Sequence, residues 1–181
     1  MGGERVLIHT QMNSILMRLG WGGALCVALT AAQAVDVPLF IIERSKNANV
    51  VHYDAHLTTY GVFDAKEPIK AYWVMAAEDG RREGLTLVER VKAYGFDARP
   101  AESFSGYIMT IVAYKERPIS IRQEGARVWA EIAINGQPAY FDKLYIDSTE
   151  GLVLPTVNYL ELHGRELKAG APVRERITAG K

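Results

Sequence analysis

The sequence predicts a mainly β fold, α+β at the margin, in which an antiparallel meander curls into a small barrel or a strongly curved sheet. Apolar segments of strand composition recur about every ten to twelve residues, a spacing typical of closed or nearly closed meanders. The pairs Glu124-Gly125 and Asn135-Gly136 separate three of these segments, and Asn-Gly is the preferred pair of a two-residue hairpin turn. One helix-start pattern predicts a single short helix within the sheet.

Residues 1–34 predict a signal peptide rather than a part of the fold. Arg18 supplies the positive charge, an uncharged Ala/Leu-rich core follows from Leu19 to Ala31, and Ala32-Gln33-Ala34 has the small-x-small pattern of a cleavage site. The apolar stretch is shorter than the roughly 20 residues that a membrane-spanning helix needs. We therefore expect cleavage near Ala34, a periplasmic or secreted protein, and no membrane span after cleavage. An uncleaved N-terminal anchor is the alternative.

The rest of the chain predicts one domain. Residues 35–168 show no repeat and no linker, whereas 169–181 combine Gly, Pro and charge with few apolar positions and predict a flexible tail. The 21 basic and 21 acidic side chains balance, so charge gives no reason to expect a nucleic acid partner. Cys26, the only cysteine, lies in the predicted signal peptide, so we expect neither a disulfide nor a thiol in the mature protein.

The N-terminal half predicts a hairpin, a third strand and then the helix. The hairpin joins 39–44 to 49–57 around Ser45-Lys46-Asn47-Ala48, and a strand at 69–76 follows. Thr86-Leu87-Val88-Glu89 is a capping box, which predicts a helix from about Leu87 to Tyr94 with Gly95 as its C′ residue. Helical spacing then predicts a buried stripe, formed by Leu87, Val88, Val91 and Tyr94.

The two turns fix a register for the meander that follows. With two-residue loops, Ile121 lies opposite Val128 and Ile132 opposite Ala139, which gathers apolar side chains on one face and leaves Trp129 on the other. In the next strand the alternation slips, because Lys143 would point inward while Leu144 and Ile146 would point outward. A β-bulge near Asp142-Lys143 would restore the phase. Another strand is predicted at 156–162.

The first hairpin supplies the first candidate site. Arg44, Ser45, Lys46, Asn47 and Asn49 concentrate cations and amides in one tight connection, which suits an anion or a sugar. Tyr72 and Trp73 on the next strand would add an apolar wall. Ser and Asn are also the residues that turns prefer, so a plain hairpin turn is the simpler interpretation.

A second candidate site lies in the strand that follows. His52, Asp54 and His56 alternate along one face of the strand, and two imidazoles with a carboxylate can bind zinc or a similar divalent ion with a position open for water. The simpler interpretation is the wet face of a half-buried strand. We expect no other cofactor.

Aromatic residues form a third group, which would either line a ligand pocket or pack the core. Its members are Tyr72, Trp73, Tyr107, Trp129, Tyr140, Phe141, Tyr145 and Tyr159. Trp129 stands out, because the predicted register places it away from the apolar face. That position predicts either a covered face or a binding patch.

The segment from Phe40 to Asp54, FIIERSKNANVVHYD, resembles the opening of an uncharacterised family of exported bacterial proteins, a domain of unknown function with an Arg-Ser-Lys-Asn-x-Asn motif. Pro68 with Tyr72-Trp73, and Glu89 followed by Ala93-Tyr94-Gly95, look like further landmarks of that family. The resemblance implies a single small exported domain and no activity. The predicted sheet with its helix is also lipocalin-like in outline.

Three functions follow from these features. The leading hypothesis is non-enzymatic binding of a small or envelope-derived ligand in the barrel mouth, near the Arg44–Asn49 loop. The first alternative is a metal-dependent hydrolase that uses His52, Asp54 and His56. The second is a structural or protein-interaction module of the envelope. The sequence contains no Gly-x-Ser-x-Gly nucleophile elbow and no phosphate-binding glycine loop.

Overall fold

A computed structural model of the protein describes residues 33–149 and 156–178. The predicted signal peptide, 1–34, lies outside these residues except for its last two positions. The strands are β1 (Val35–Arg44), β2 (Asn47–Leu57), β3 (Ile69–Met75), β4 (Arg81–Gly84), β5 (Phe96–Pro100), β6 (Gly106–Ile111), β7 (Tyr114–Glu124), β8 (Arg127–Ile134), β9 (Gln137–Thr149), β10 (Thr156–Glu166) and β11 (Pro172–Thr178). The helix α1 is Leu87–Lys92, and Ala76–Glu78 forms a 3-10 turn. No helix in the described part of the chain is long and apolar enough to cross a bilayer.

The strands form one strongly curled sheet, a half-barrel, which confirms the mainly β prediction. The order along the sheet is β4-β3-β2-β1-β9-β8-β7-β6-β5, and β10 and β11 extend from the other edge of β9. Neighbouring strands are antiparallel except for β1 and β9, which are parallel. The chain therefore builds two wings, β1–β4 and β5–β8, and β9 joins them.

β9 holds both wings because it changes partner along its length. Its first residues pair with β8, and from Lys143 onward it pairs with β1. Between these stretches lies a bulge: Phe141 is opposite Gly164 and Lys143 is opposite His163, so Asp142 is the extra residue. The predicted bulge is confirmed. It resets the alternation, so that Phe141 and Leu144 both face the core.

The two wings enclose a core filled by side chains. The ring of Phe40 stacks on that of Tyr53 with a centroid distance of 4.5 Å, and lies 4.7 Å from that of Phe141. The Tyr53 hydroxyl donates a hydrogen bond to the Tyr94 carbonyl at 2.7 Å, which links β2 to the segment after α1. Ile121, like Tyr53, is fully buried. The part of the interior that these residues line is thus packed core.

The meander differs from its predicted register by two residues at one turn. The β7–β8 turn is Gly125-Ala126 rather than Glu124-Gly125, and Ile121 lies opposite Ala130 instead of Val128. A shift of two residues keeps each side chain on its face, so the apolar face is as predicted. At the β8–β9 turn the prediction is confirmed, because Ile132 lies opposite Ala139.

The capping box of α1 is confirmed, but of its predicted buried stripe only Tyr94 is buried. The Thr86 hydroxyl accepts a hydrogen bond from the Glu89 amide at 3.3 Å, and the Glu89 carboxylate accepts one from the Thr86 amide at 2.8 Å. Leu87, Val88 and Val91 are nevertheless 76, 70 and 54% exposed. Capping depends on residues at the start of the helix, whereas burial depends on a packing partner, and residues 33–149 and 156–178 provide none for these three side chains.

The predicted end of the helix is wrong, because α1 ends at Lys92 with Ala93 as its C-cap, and Gly95 is not the C′ residue. Its backbone is not in the left-handed region that a C′ glycine adopts. A Cβ atom there would instead lie 1.8 Å from the Arg90 carbonyl oxygen, so the close approach of the chain requires glycine.

Much of the predicted flexible tail, 169–181, is a strand. Pro172–Thr178 form β11, which pairs with β10 along its whole length, so the domain extends beyond residue 168. Val173 and Ile177 pack against the core, while the residues between them alternate outward. β11 lies at the edge of the sheet and its outward face is charged. A charged edge strand has few apolar residues, which is also the composition of a flexible tail.

Candidate functional site

Arg44 and Trp73, two of the predicted ligand residues, meet in a group that we call the mouth cluster: Arg44, Trp73, Glu89 and Tyr94. The Arg44 guanidinium carbon lies 5.2 Å from the ring centroid of Trp73 and 5.8 Å from that of Tyr94. The Trp73 indole donates a hydrogen bond to the Glu89 carboxylate at 3.0 Å. Both rings are buried, so Arg44 lies over the end of the core and closes it.

The polar groups of the mouth cluster are only partly satisfied. Burial acts to raise the pKa of Glu89, but hydrogen bonds from Thr86 and Trp73 and the charge of Arg44 outweigh it, and the pKa falls below its usual value. The Arg44 Nε atom is buried and has no hydrogen-bond partner among the described residues.

The turn of the first hairpin is Ser45-Lys46 alone. The Ser45 amide donates to the Ile146 carbonyl at 3.0 Å, and its hydroxyl donates to the Ser148 carbonyl at 3.3 Å. These bonds attach the turn to β9. Lys46 is exposed. Ser45 therefore has a structural role that the sequence did not indicate.

Asn47 and Asn49 also use their side chains within the fold. The Asn47 side-chain oxygen accepts a hydrogen bond from the Asn49 amide at 2.9 Å, and the Asn49 side-chain oxygen accepts one from the Ala76 amide at 2.9 Å. These contacts fit the plain-turn interpretation, in which Asn stabilises local backbone. Among the five predicted residues of the loop site, Arg44 is the one that contacts aromatic rings, those of Trp73 and Tyr94.

Tyr72 lies on the opposite face of the sheet from Trp73. Its hydroxyl donates a hydrogen bond to the Asp54 carboxylate at 2.5 Å, and its ring stacks on that of His52 at 5.7 Å between centroids. Burial and the neighbouring Asp54 raise the pKa of Tyr72 well above its usual range. Burial lowers the pKa of His52, although the charge of Asp54 opposes this effect. The other oxygen of Asp54 is buried without a partner among the described residues.

The predicted metal ligands have separate partners. The His56 Nδ1 atom lies 2.5 Å from the Asp36 carboxylate, which also accepts from the Lys70 ammonium at 3.0 Å. Asp54 bonds Tyr72, as described above. Across residues 33–149 and 156–178, no three His, Cys, Asp or Glu side chains form a group that could hold a metal ion. The zinc site on His52, Asp54 and His56 stays a prediction.

A cleft of about 290 Å³, which we call the outer cleft, lies on the outer face of the sheet where β8, β9 and β10 meet. Its polar and aromatic walls are Arg127, Trp129, Tyr140, Asp142 and Arg165, and Pro38 and Leu39 of β1 close one side. The Asp142 bulge of β9 is therefore part of the cleft. Trp129, which the sequence placed away from the apolar face, lines it.

Arg127 is held in the outer cleft by aromatic rings rather than by an acid. Its guanidinium carbon lies 4.7 Å from the Trp129 ring centroid and 5.2 Å from that of Tyr140. It also donates a hydrogen bond to the Tyr140 hydroxyl at 2.8 Å. No Asp or Glu in the part of the chain that the structure describes forms an ion pair with it. The Arg127 charge is therefore held in place by aromatic rings, and none of the described acids neutralises it.

The sequence indicated only part of the outer cleft. Arg127 and Trp129 are two residues apart on one strand, so their common face could be inferred from alternation. Arg165 joins them only because β10 pairs with β9 and places Arg165 opposite Tyr140. No local pattern in the sequence specifies that pairing.

Fold and cleft together define a small curled β domain with a packed interior and a polar, aromatic cleft on its outer face. The chain belongs to the family described as a domain of unknown function, DUF4833, whose profile matches residues 40–176. The predicted resemblance to an uncharacterised family is thereby confirmed. No curated protein and no solved structure gave a match. The family description states no activity.

Proposed function

We propose that the domain is a non-enzymatic binding protein that holds a small, anionic, envelope-derived ligand in the outer cleft. The observation that supports this proposal is the position of Arg127. Its guanidinium lies against two aromatic rings in a cleft of about 290 Å³, without an acidic partner among the described residues. The proposal keeps the predicted class of function and the predicted periplasmic or secreted location.

An arginine held in this way suits a carboxylate. Guanidinium presents parallel N–H donors in a fixed fork, which matches the two oxygens of a carboxylate or phosphate. Contact with Trp129 and Tyr140 restricts the side chain before a ligand arrives, so less conformational entropy is lost on binding. The volume of about 290 Å³ is just below the range of about 300–1,000 Å³ for ligand sites, which fits a ligand as small as a single sugar acid.

The outer cleft supports ligand binding better than the mouth cluster does. Arg44 already covers Trp73 and Tyr94, and the side chains of Ser45, Asn47 and Asn49 bond backbone groups of the fold. A ligand at the mouth would have to displace Arg44 from two rings. In the outer cleft, Arg127 can keep its ring contacts while its outer N–H groups bind an acid.

Galacturonic acid and galactose provide a direct test, because they differ only in the carboxylate. Titration followed by Trp129 fluorescence or by indole N–H chemical shifts should detect galacturonate and not galactose. Arg127→Gln should abolish the response, while Arg99→Gln, an exposed arginine on β5, should leave it unchanged. Equal responses to the acid in the wild type and in Arg127→Gln would contradict the proposal.

A further inference from the structure

A second cleft adjoins the outer cleft on the same face of the sheet. It has a volume of about 490 Å³ and is lined by residues of β10 and β11, among them His163, Gly164 and Arg174. Asp142 and Arg165 line both clefts. The two clefts therefore adjoin at this pair of side chains.

The Asp142–Arg165 ion pair at the junction of the clefts is exposed, and a ligand can replace one of its partners. Arg165 donates hydrogen bonds to the two Asp142 oxygens at 2.7 and 2.9 Å, and the two side chains are 56 and 41% exposed. Exposed ion pairs contribute little to stability, since water and salt compete for both charges. A ligand carboxylate can therefore take the place of Asp142 on Arg165 at little cost to the fold.

Arg174 places a further cation in the second cleft, and it is loosely held. Its nearest acid is Glu161, at 3.8 Å, and the Arg174 side chain is 63% exposed. Glu161 already accepts a hydrogen bond from Arg176 at 2.8 Å and lies 3.1 Å from a nitrogen of His163. Arg174 can turn toward a ligand without leaving an acid unpaired.

The strand order places the three arginines on strands that lie close together in the sheet. Arg127 is on β8, Arg165 on β10 and Arg174 on β11, and these strands follow one another across the sheet with β9 between the first two. Neighbouring strands lie about 4.8 Å apart, so Arg127 is two strand spacings from the strand of Arg165, and Arg174 is one spacing beyond it.

We infer that the ligand is a linear acidic polysaccharide that runs from the outer cleft across the Asp142–Arg165 pair into the second cleft. This inference rests on the proposed function and names its ligand class. A polymer with a carboxylate on each sugar presents acids at intervals of about one ring. Its apolar ring faces suit the Tyr140 and Pro172 walls, and its hydroxyls can donate to Asp142 once Arg165 has turned away.

Oligomers of galacturonic acid test the inference, with affinity measured by calorimetry on the full chain. The hexamer should bind at least about tenfold more tightly than the monomer, because further contacts add to the first. Arg174→Gln should weaken hexamer binding by about five- to tenfold and leave monomer binding unchanged. Arg127→Gln should weaken both, and Arg99→Gln neither. Glutamate hexapeptide, as an acidic peptide of similar charge, should bind more weakly than the sugar hexamer.

The outcomes separate this inference from the proposed function. Monomer binding that needs Arg127, with a hexamer that binds no more tightly and with no effect of Arg174→Gln, would overturn the polymer and leave the small-ligand proposal standing. Tighter binding of the peptide than of the sugar hexamer would overturn the polysaccharide as ligand class. Loss of all binding, monomer included, would contradict the proposed function itself.

Discussion

The carboxylate of Glu175 accepts two hydrogen bonds from the guanidinium of Arg117, at 2.7 and 3.0 Å. One of its oxygens also accepts from the Asn135 amide at 2.6 Å. These bonds attach β11 to β7 and to the β8–β9 turn, although β11 pairs only with β10. A bidentate, partly buried ion pair of this kind fixes the relative position of its two side chains better than an exposed pair does. Side-chain contacts with Arg117 and Asn135 therefore hold β11 in place in addition to its backbone pairing with β10.

Glu175 should make stability depend on pH. The hydrogen bond from Arg117, helped by Asn135, lowers its pKa in the folded protein. A carboxyl with a lowered folded pKa stabilises the fold above its unfolded pKa, about 4.3, and this contribution is lost as pH falls through the folded value. Glu175→Gln should therefore lower the free energy of unfolding at neutral pH and matter less in acid. Urea unfolding at both pH values measures this.

Glu116 on β7 supplies the control for that experiment, because its side chain is exposed. Glu116→Gln should change stability little at either pH. An equal loss of stability for Glu175→Gln at neutral and acid pH would show that the ion pair is not what the pH dependence reports.

Tyr72→Phe should destabilise the protein by about 1–3 kcal/mol, because it removes the hydrogen bond that the buried Asp54 accepts. The carboxylate would then have two unsatisfied oxygens instead of one. Tyr60, which is 90% exposed, gives the matched control, and Tyr60→Phe should stay within about 0.5 kcal/mol of the wild type. If the two variants unfold at the same denaturant concentration, the Asp54 contact carries no stability.

Two leucines should respond differently to truncation. Leu87 on α1 is 76% exposed, so Leu87→Ala should change the free energy of unfolding by less than about 0.5 kcal/mol. Leu162 on β10 is fully buried, and Leu162→Ala should cost about 2–5 kcal/mol. Thermal and denaturant unfolding of both variants decide the point. A large loss in Leu87→Ala would mean that α1 is covered in solution.

Gly164→Ala should both destabilise the fold and disturb the outer cleft. The added Cβ atom would lie 2.0 Å from the Tyr140 carbonyl oxygen and 2.8 Å from the Ile134 side chain. Overpacking of this kind costs about 1–3 kcal/mol, and relief requires the Tyr140 backbone to move. Gly84→Ala is the control, since its Cβ meets only the end of the Arg90 side chain, at 3.9 Å. Unfolding midpoints and indole shifts of Trp129 report the two effects.

Local patterns predicted much of the fold and little of its packing. Asn135-Gly136 and the slip after Phe141 were sufficient to predict a hairpin and the bulge, because turn chemistry and alternation act over a few residues. The Thr86 capping box predicted the start of α1 for the same reason. The exposure of Leu87 could not be predicted, since it depends on which surface the helix meets after the sheet has curled.

The residues of the candidate site also divide into those that a local sequence pattern indicates and those that only the strand pairing brings together. Arg127 and Trp129 share a face of one strand, and Trp129 was singled out from the sequence. Arg165 and Arg174 belong to the site only through the pairing of β10 with β9 and β11, and Arg174 lies in a segment whose composition suggested a tail. Side chains brought together by strands far apart in sequence leave no spacing pattern.

The parallel pairing of β1 with β9 has a consequence for how the chain folds. The ion pair between Glu43 and Lys143 joins residues 100 positions apart, and neighbouring backbone pairs span similar separations. Contacts of such separation raise the contact order, and proteins of high contact order fold slowly because a long loop must close before the pairing stabilises it. The β1–β2 hairpin pairs with β9 only through residues from Lys143 onward, so we expect the joining of the two wings to be the slow step of folding.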